Sequence, residues 1–240
     1  MLYLFPQGGT AESEWYPPEK HIPEILELYS SFKQNITFVQ IGSNEGIVND
    51  PIYQYVTKYK WRGILIEPVK YLFDKLTANY AGNDGRLLFE NVAIGKENGN
   101  AILYRLRESS DPGLPYWYDQ LGSFRKEIVL KHKNEIPRIE EFLMEETVSV
   151  VRLDSLLKKY SISKLDLIHI DTEGYDYEII KTISLKNADP DLILFEHKHL
   201  SDTDYKACVR YLSKQQFVLF SFWGDTIALA PRIVPVLIKS

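Results

Sequence analysis

Short runs of uninterrupted apolar residues alternate along this chain with longer segments in which apolar positions recur at helical spacing. "ITFVQIG" has the continuous apolar character of a strand covered on both faces, and it ends on a glycine. "DPIYQYVTKYK" then predicts a helix, with Asp50 at the cap and Pro51 at the first helical position. "GILIEP" (63–68) predicts a second strand, "VKYLFDKLTANY" a helix and "RLLFENVAIG" (86–95) a third strand. "NAILYRLRE" (100–108) follows a turn at Asn98–Asn100 and predicts an antiparallel partner for an edge element. The loop "SSDPGLPYWYDQLG" (109–122) leads into a charged helical segment to about Glu146 and then the strand "TVSVVRL".

The last third is regular. "LDSLLKKY" predicts a helix, "LDLIHID" (165–171) a strand, "YDYEIIKTISL" a helix and "DLILFEH" (191–197) a strand. A helix over "SDTDYKACVRYLSKQ" precedes a closing hairpin of "FVLFSFW" and "DTIALAP". Apolar strands alternating with helices imply an α/β fold with a mostly parallel sheet covered on both faces. The expected organisation is an arm and a first helix (about Glu19–Ser31) within residues 1–36, then one domain over 37–240. An aromatic insertion at about 109–146 interrupts that domain.

The chain has 240 residues, 45% of them hydrophobic, enough for one substantial core. A net charge of −5 argues against a broad attraction to nucleic acid or anionic lipid. Cys208 is the single cysteine, so neither an intramolecular disulfide nor a thiolate metal site is available, and its helical context predicts a core position. "MLYLF" is too short for a signal-peptide core and "IVPVLI" falls far below a membrane span. The expectation is a soluble, cytoplasmic protein.

Chemistry enters at the turn "GSNEG" after the first strand, because open α/β sheets bind ligands at the carboxyl ends of their strands. Gly42 permits a sharp turn and Gly46 close backbone approach, but the third glycine of a dinucleotide fingerprint is missing. Glu45 and Asp50 would repel a pyrophosphate and attract a sulfonium or ammonium group. Glu67 ends the second strand, where an acidic side chain grips ribose hydroxyls. A phosphate-free cationic nucleoside, S-adenosylmethionine, satisfies both observations.

"FVQIGSNEG", "GILIEP", "NVAIG" and "IHIDTEGYDYEII", in this order, resemble the FkbM family of S-adenosylmethionine-dependent methyltransferases, over about Thr37 to Pro231. The resemblance implies the Rossmann-like class I methyltransferase fold, a seven-stranded sheet whose last strand is antiparallel. It implies cofactor contacts from Gly42, Ser43, Asn44 and Gly46, ribose binding by Glu67, and adenine flanked by Asn91 and Ala93. It places Asp171 beside the methionine amino group and the methyl donor. It also implies O-methylation of a small molecule or sugar. Gln40 departs from the pattern, standing where related enzymes often carry an acid.

Methyl transfer needs a close, collinear acceptor and, for a hydroxyl, a proton acceptor. Asp171 and His197 are the expected catalytic pair, His197 being the general base on the strength of its ordinary pKa. A metal-free reaction is preferred; Mg²⁺, if used, would lie between Asp171 and Glu196. Tyr116, Trp117 and Tyr118 are expected to cover the acceptor, with His199 beside it. Two rival readings stay open: a nicotinamide-dependent oxidoreductase and a non-catalytic scaffold of the same fold.

Overall fold

The structure is a computed structural model that describes residues 21–237. The arm expected at residues 1–18 lies outside the described residues.

The chain begins with α1 (Ile22–Phe32), β1 (Thr37–Ile41), α2 (Tyr53–Lys58), β2 (Arg62–Ile66), α3 (Lys70–Asn79) and β3 (Leu87–Glu90). Then come β4 (Ala93–Ile94), β5 (Gly99–Leu106), β6 (Gly122–Ser123), α4 (Lys126–Leu130), α5 (Ile139–Phe142) and β7 (Leu143–Val151). The last part holds α6 (Leu153–Lys159), β8 (Leu167–Ile170), α7 (Asp176–Ile180), α8 (Leu185–Ala188) and β9 (Leu192–Glu196). It closes with α9 (Asp202–Lys214), β10 (Val218–Phe222), β11 (Asp225–Leu229) and α10 (Val234–Leu237).

Seven strands form one sheet in the order β10-β11-β9-β8-β1-β2-β3. β1 pairs in parallel with β2 on one side and β8 on the other, while β11 alone runs antiparallel, between β9 and β10. From β1 the chain moves outward through β2 and β3, then crosses back to β8. That reversal opens a crevice at the carboxyl ends of β1 and β8.

The continuous apolar runs form strands because both faces are covered. Val39, Ile41, Ile66 and Ile168 face one core with Leu156, Ile179 and Leu212 of the helices. Phe38, Leu65, Leu167 and Leu194 face the opposite core with Leu26, Val56 and Leu76. Helix α1 belongs to this second core, with Ile25, Leu26 and Tyr29 buried and the Tyr29 hydroxyl donating to Asp191 Oδ2 at 2.6 Å. Cys208 is a buried free thiol in α9, as its pattern predicts. No described helix is long and apolar enough to cross a membrane.

Four local expectations change. "RLLFENVAIG" is not one strand: β3 joins the main sheet, whereas β4 pairs with β7 in a second sheet, ordered β4-β7-β5-β6. The cause sits between them, where the Asn91 amide donates to the carbonyls of Glu67 and Pro68 and turns the chain out of the ladder. The helix expected up to Glu146 ends at Phe142, because Leu143–Glu146 pair with Leu106–Leu103 of β5. Asp50 stands one turn ahead of α2, its Oδ1 accepting from the N–H groups of Ile52 and Tyr53. "YDYEIIKTISL" breaks into α7 and α8, since Thr182 and Ile183 bond three residues back rather than four and tighten the chain out of the α-helix.

Candidate active site

The crevice is built on a turn that only a small residue could make. Gly42 has φ +80°, and a Cβ there would lie 1.8 Å from the carbonyl oxygen of Asp171. The ends of β1 and β8 are therefore in direct backbone contact. The N–H groups of Gly42 and Ser43 both donate to Ile66 O, at 3.0 and 2.9 Å, while Ser43 Oγ accepts from Ile66 N at 3.0 Å. Asn44, at φ +52°, donates its N–H to Glu67 Oε2 at 2.9 Å, and Glu67 Oε1 accepts from Val69 N at 2.8 Å. Glu67 is thus fixed at the mouth of β2 by two backbone donors.

Gly42, Ser43, Asn44, Glu67 and Asp171, expected from the sequence as cofactor contacts, line one cleft. Gln40 lines it too: its amide donates to Asp50 Oδ2 at 3.1 Å, and its Oε1 is buried without a partner. An apolar lobe opens on the other side of Gly42, walled by Pro68, Val92, Ala93, Phe124 and Tyr175. Two expected cofactor contacts do not reach either wall. Gly46 is a packing position, since a Cβ there would meet Leu76 and Tyr80 at 2.5 and 2.8 Å. Asn91 spends both amide hydrogens on backbone carbonyls, so it braces the exit of β2.

Asp171, His169 and Glu173 border this cleft and a second one beyond it, whose far wall carries Trp117, His132, Glu196, Lys198 and His199. Asn49 Nδ2 donates to Gln120 Oε1 at 3.0 Å and ties the loop after β1 to the aromatic loop, which adjoins both clefts. Of the three clustered aromatics only Trp117 lines a cleft, packing edge-on against His132 at 5.4 Å. Tyr116 is 73% exposed, and the Tyr118 hydroxyl is pinned to the Ser109 backbone.

His197 does not meet its expected partner. Its Nδ1 lies 3.0 Å from Thr226 Oγ1 and its ring stacks on Tyr205 at 4.6 Å, on the side of β9 away from both clefts. Side chains alternate along a strand and its extension, so Glu196 faces the cleft and His197 faces α9. The general-base role expected of His197 is corrected on that ground. His199 does enter the cleft, buried against Glu173 and Glu196.

The site is acidic and largely withdrawn from water. Burial pushes the carboxyl of Asp50 up to about 6 and that of Glu67 to about 7. Burial, then repulsion from Asp225 and Asp50, pushes Asp171 up to about 7. Glu173 and Glu196 are raised further by burial and by their acidic neighbours, with Lys198 pulling Glu173 the other way. Burial depresses His169 and His199 to about 4, which keeps both imidazoles neutral. A positive charge brought among these carboxyls would lower their pKa values again, so the set suits a ligand carrying positive charge and hydroxyls.

His132 and His169 had no signature in the sequence. His132 lies in "KHKNE" within a charged segment, and only the fold of the 109–146 insertion carries it to the cleft. His169 occupies the apolar run of β8, where the natural inference is a core residue.

The sequence matches the family model described as Methyltransferase FkbM domain over residues 40–219. No curated protein matches it. Among solved structures it is similar to a methyltransferase FkbM from Methylobacillus flagellatus KT, at 15% identity and a TM-score of 0.53, covering 86% of this chain and 47% of that one. It is also similar to the methyltransferase domain of METTL16, at 12% identity and a TM-score of 0.47, covering 87% and 65%. A third likeness is to human methyltransferase 10 domain containing protein, at 13% identity and a TM-score of 0.47, covering 87% and 79%. The chain spans about half the length of the first and just under two thirds of the second. The first likeness is one of fold.

Proposed function

This chain belongs to the FkbM family of S-adenosylmethionine-dependent methyltransferases, and we propose that it methylates a hydroxyl of a small molecule or sugar. The observation that carries this reading is Asp171, which borders both clefts at the end of β8. One cleft would hold the cofactor and the other the acceptor, with Asp171 facing the place where they meet.

S-adenosylmethionine supplies a methyl carbon bonded to a positively charged sulfur. The residues present fit it. Glu67, held by the N–H groups of Asn44 and Val69, would accept from the ribose hydroxyls. Ala93 and Val92, with Phe124 and Tyr175 across the lobe, would enclose the flat apolar adenine. The Gly42–Asn44 backbone and the buried, unpartnered Gln40 Oε1 would face the methionine end, where an ammonium donor is expected. Gly46 and Asn91 would serve by holding α3 and the β2 exit in place.

Asp171 is the group we assign as proton acceptor. Its carboxyl, raised to about 7, is a stronger base than an exposed aspartate and is still ionised in useful amount at neutral pH. As it takes the hydroxyl proton, the acceptor oxygen gains the electron density it needs as a nucleophile. Trp117 offers an aromatic face in the second cleft, suited to a sugar ring or another flat acceptor.

Calorimetry with S-adenosylhomocysteine and with NADH tests the cofactor, and a hydroxylated-acceptor screen with methyl-labelled S-adenosylmethionine tests the reaction. Binding of the homocysteine nucleoside and label in an ether product are the expected results. Binding of NADH in its place would overturn the reading.

A further inference from the structure

At the inner end of the second cleft, side chains from three separate segments converge. His132 lies in the turn after α4, Glu173 in the loop after β8, and His199 in the loop after β9, with Glu196 at the end of that strand. One ligand atom from each of His132, Glu173 and His199 lies within 4.8 Å of the others. His199 Nε2 is 3.2 Å from Glu173 Oε2 and 3.7 Å from Glu196 Oε1, and the two imidazole rings are 5.2 Å apart.

What marks this cluster is its unspent bonding capacity. His132 and His199 are 8% and 6% exposed. His132 Nε2, Glu173 Oε2 and Glu196 Oε2 are all buried and none makes a well-aligned hydrogen bond, Glu173 Oε2 having only the 3.2 Å contact with His199 Nε2. Buried polar atoms are ordinarily paired, so three orphans in one small volume need a common partner. Lys198 lines the same cleft, but none of the ion pairs among the described residues joins it to these carboxylates. A cation among them would satisfy all three at once.

We propose that His132, Glu173 and His199, with Glu196 alongside, form a binding site for a divalent first-row transition metal such as Zn²⁺ or Fe²⁺. Two imidazoles and a carboxylate favour these ions over Mg²⁺ or Ca²⁺, which prefer oxygen. The site therefore differs from the Mg²⁺ position between Asp171 and Glu196 considered from the sequence. Its ligands are held before any ion arrives. Ser123 Oγ donates to the Glu173 carbonyl at 2.7 Å, and Trp117 packs on the edge of His132. Gly174, at φ +88°, lets the Glu173 loop press on His199, since a Cβ there would lie 2.9 Å from His199 O. An ion here would face the acceptor-side cleft and, on the methyl-transfer reading, could coordinate an acceptor oxygen beside Asp171. Metal binding itself does not depend on that reading.

The test is direct titration of the chelator-treated protein with Zn²⁺ and Mg²⁺, using calorimetry and a competing chromophoric chelator. One equivalent of Zn²⁺ should bind with micromolar or tighter Kd, at least 100-fold more tightly than Mg²⁺. His132→Gln and His199→Gln should each weaken Zn²⁺ by at least 10-fold, while His21→Gln, at the cap just ahead of the remote helix α1, should not. Because substituting a buried histidine can impair folding, Co²⁺ in the wild-type protein gives a second readout. It should produce visible d–d absorption and hyperfine-shifted signals from two imidazoles. Zn²⁺ affinity unaltered by both variants, affinity no better than for Mg²⁺, or a Co²⁺ complex without imidazole signals would overturn the proposal. Titration with S-adenosylhomocysteine in parallel separates the two ideas. Nucleoside binding without metal binding removes only the metal, and the converse removes only the methyltransferase reading.

Discussion

The backbone N–H of Asn44 donates to Glu67 Oε2 at 2.9 Å, joining the turn after β1 to the end of β2. This bond makes a backbone turn depend on the side chain proposed to bind ribose. Glu67→Ala should therefore weaken S-adenosylhomocysteine by about 10- to 100-fold, roughly the 1–3 kcal/mol of lost hydrogen bonds to a charged group. It should also lower the melting temperature, since the Asn44 and Val69 donors lose their acceptor. Calorimetry and thermal unfolding on the same variant check both, and unchanged affinity would remove Glu67 from the cofactor site.

Asp171→Asn keeps the shape of the strand end but cannot take a proton. Turnover should fall by about 100-fold or more, the usual scale for losing a general base. Cofactor affinity should change far less. In the wild type kcat/KM should rise with pH through about 7 as Asp171 ionises, and the variant should lose that limb. A pH profile unaltered by the substitution would assign the base elsewhere.

Asp171 and Glu67 also leave a signature in stability. Both carboxyls are raised to about 7 by burial, so between pH 4 and 7 the folded state holds protons that the unfolded chain has released. Each group therefore costs stability as pH rises through that window. His169 and His199, depressed to about 4, act oppositely, gaining stability as pH rises from about 4 to 6.5. The wild-type curve mixes the two, but a difference isolates one. The melting temperature of Asp171→Asn minus that of the wild type should grow from pH 5 to 8, and a flat difference would count against a buried, protonated Asp171.

Trp117 and Tyr116 are neighbours with opposite prospects. Trp117→Ala should raise the acceptor KM several-fold with little change in cofactor affinity, because Trp117 lines only the second cleft. Tyr116→Ala should change neither, since the ring is in solvent. Steady-state kinetics with varied acceptor separates them, and equal effects would show the loop to act as one unit.

Far from the clefts, Asp191 accepts from the Tyr29 hydroxyl, Lys33 and Arg232, each at 2.6 Å, and ties α1 to β9. Asp191→Ala should destabilise the fold by about 2 kcal/mol, leaving a buried hydroxyl unpaired and taking one of two carboxylate partners from Lys33, which keeps Asp166, and from Arg232, which keeps Asp189. These partners hold the Asp191 carboxyl below its ordinary value despite its burial. Its contribution is therefore present above the unfolded carboxylate pKa and lost as pH falls below about 4. Denaturant unfolding at pH 7 and pH 3 should show the wild-type advantage shrinking at the lower pH.

The main sheet was legible in the sequence because each strand is covered on both faces and therefore carries an unbroken apolar run. "ITFVQIG", "GILIEP", "LDLIHID" and "DLILFEH" needed no tertiary information to be read as strands. The residues of the first cleft were legible for a related reason: Gly42, Ser43 and Asn44 form the turn that ends β1, and Glu67 and Asp171 end the apolar runs of the two strands that flank it. The second cleft was legible only in part. Trp117 and His199 were expected there and line it, whereas His132 was not, because the insertion that carries it has no period that announces where it folds back. His197 shows the same limit within one strand: a one-residue difference in position decides which face a side chain takes. Only the pairing of β9 with β8 and β11, which fixes that face, sends Glu196 into the cleft and His197 away from it.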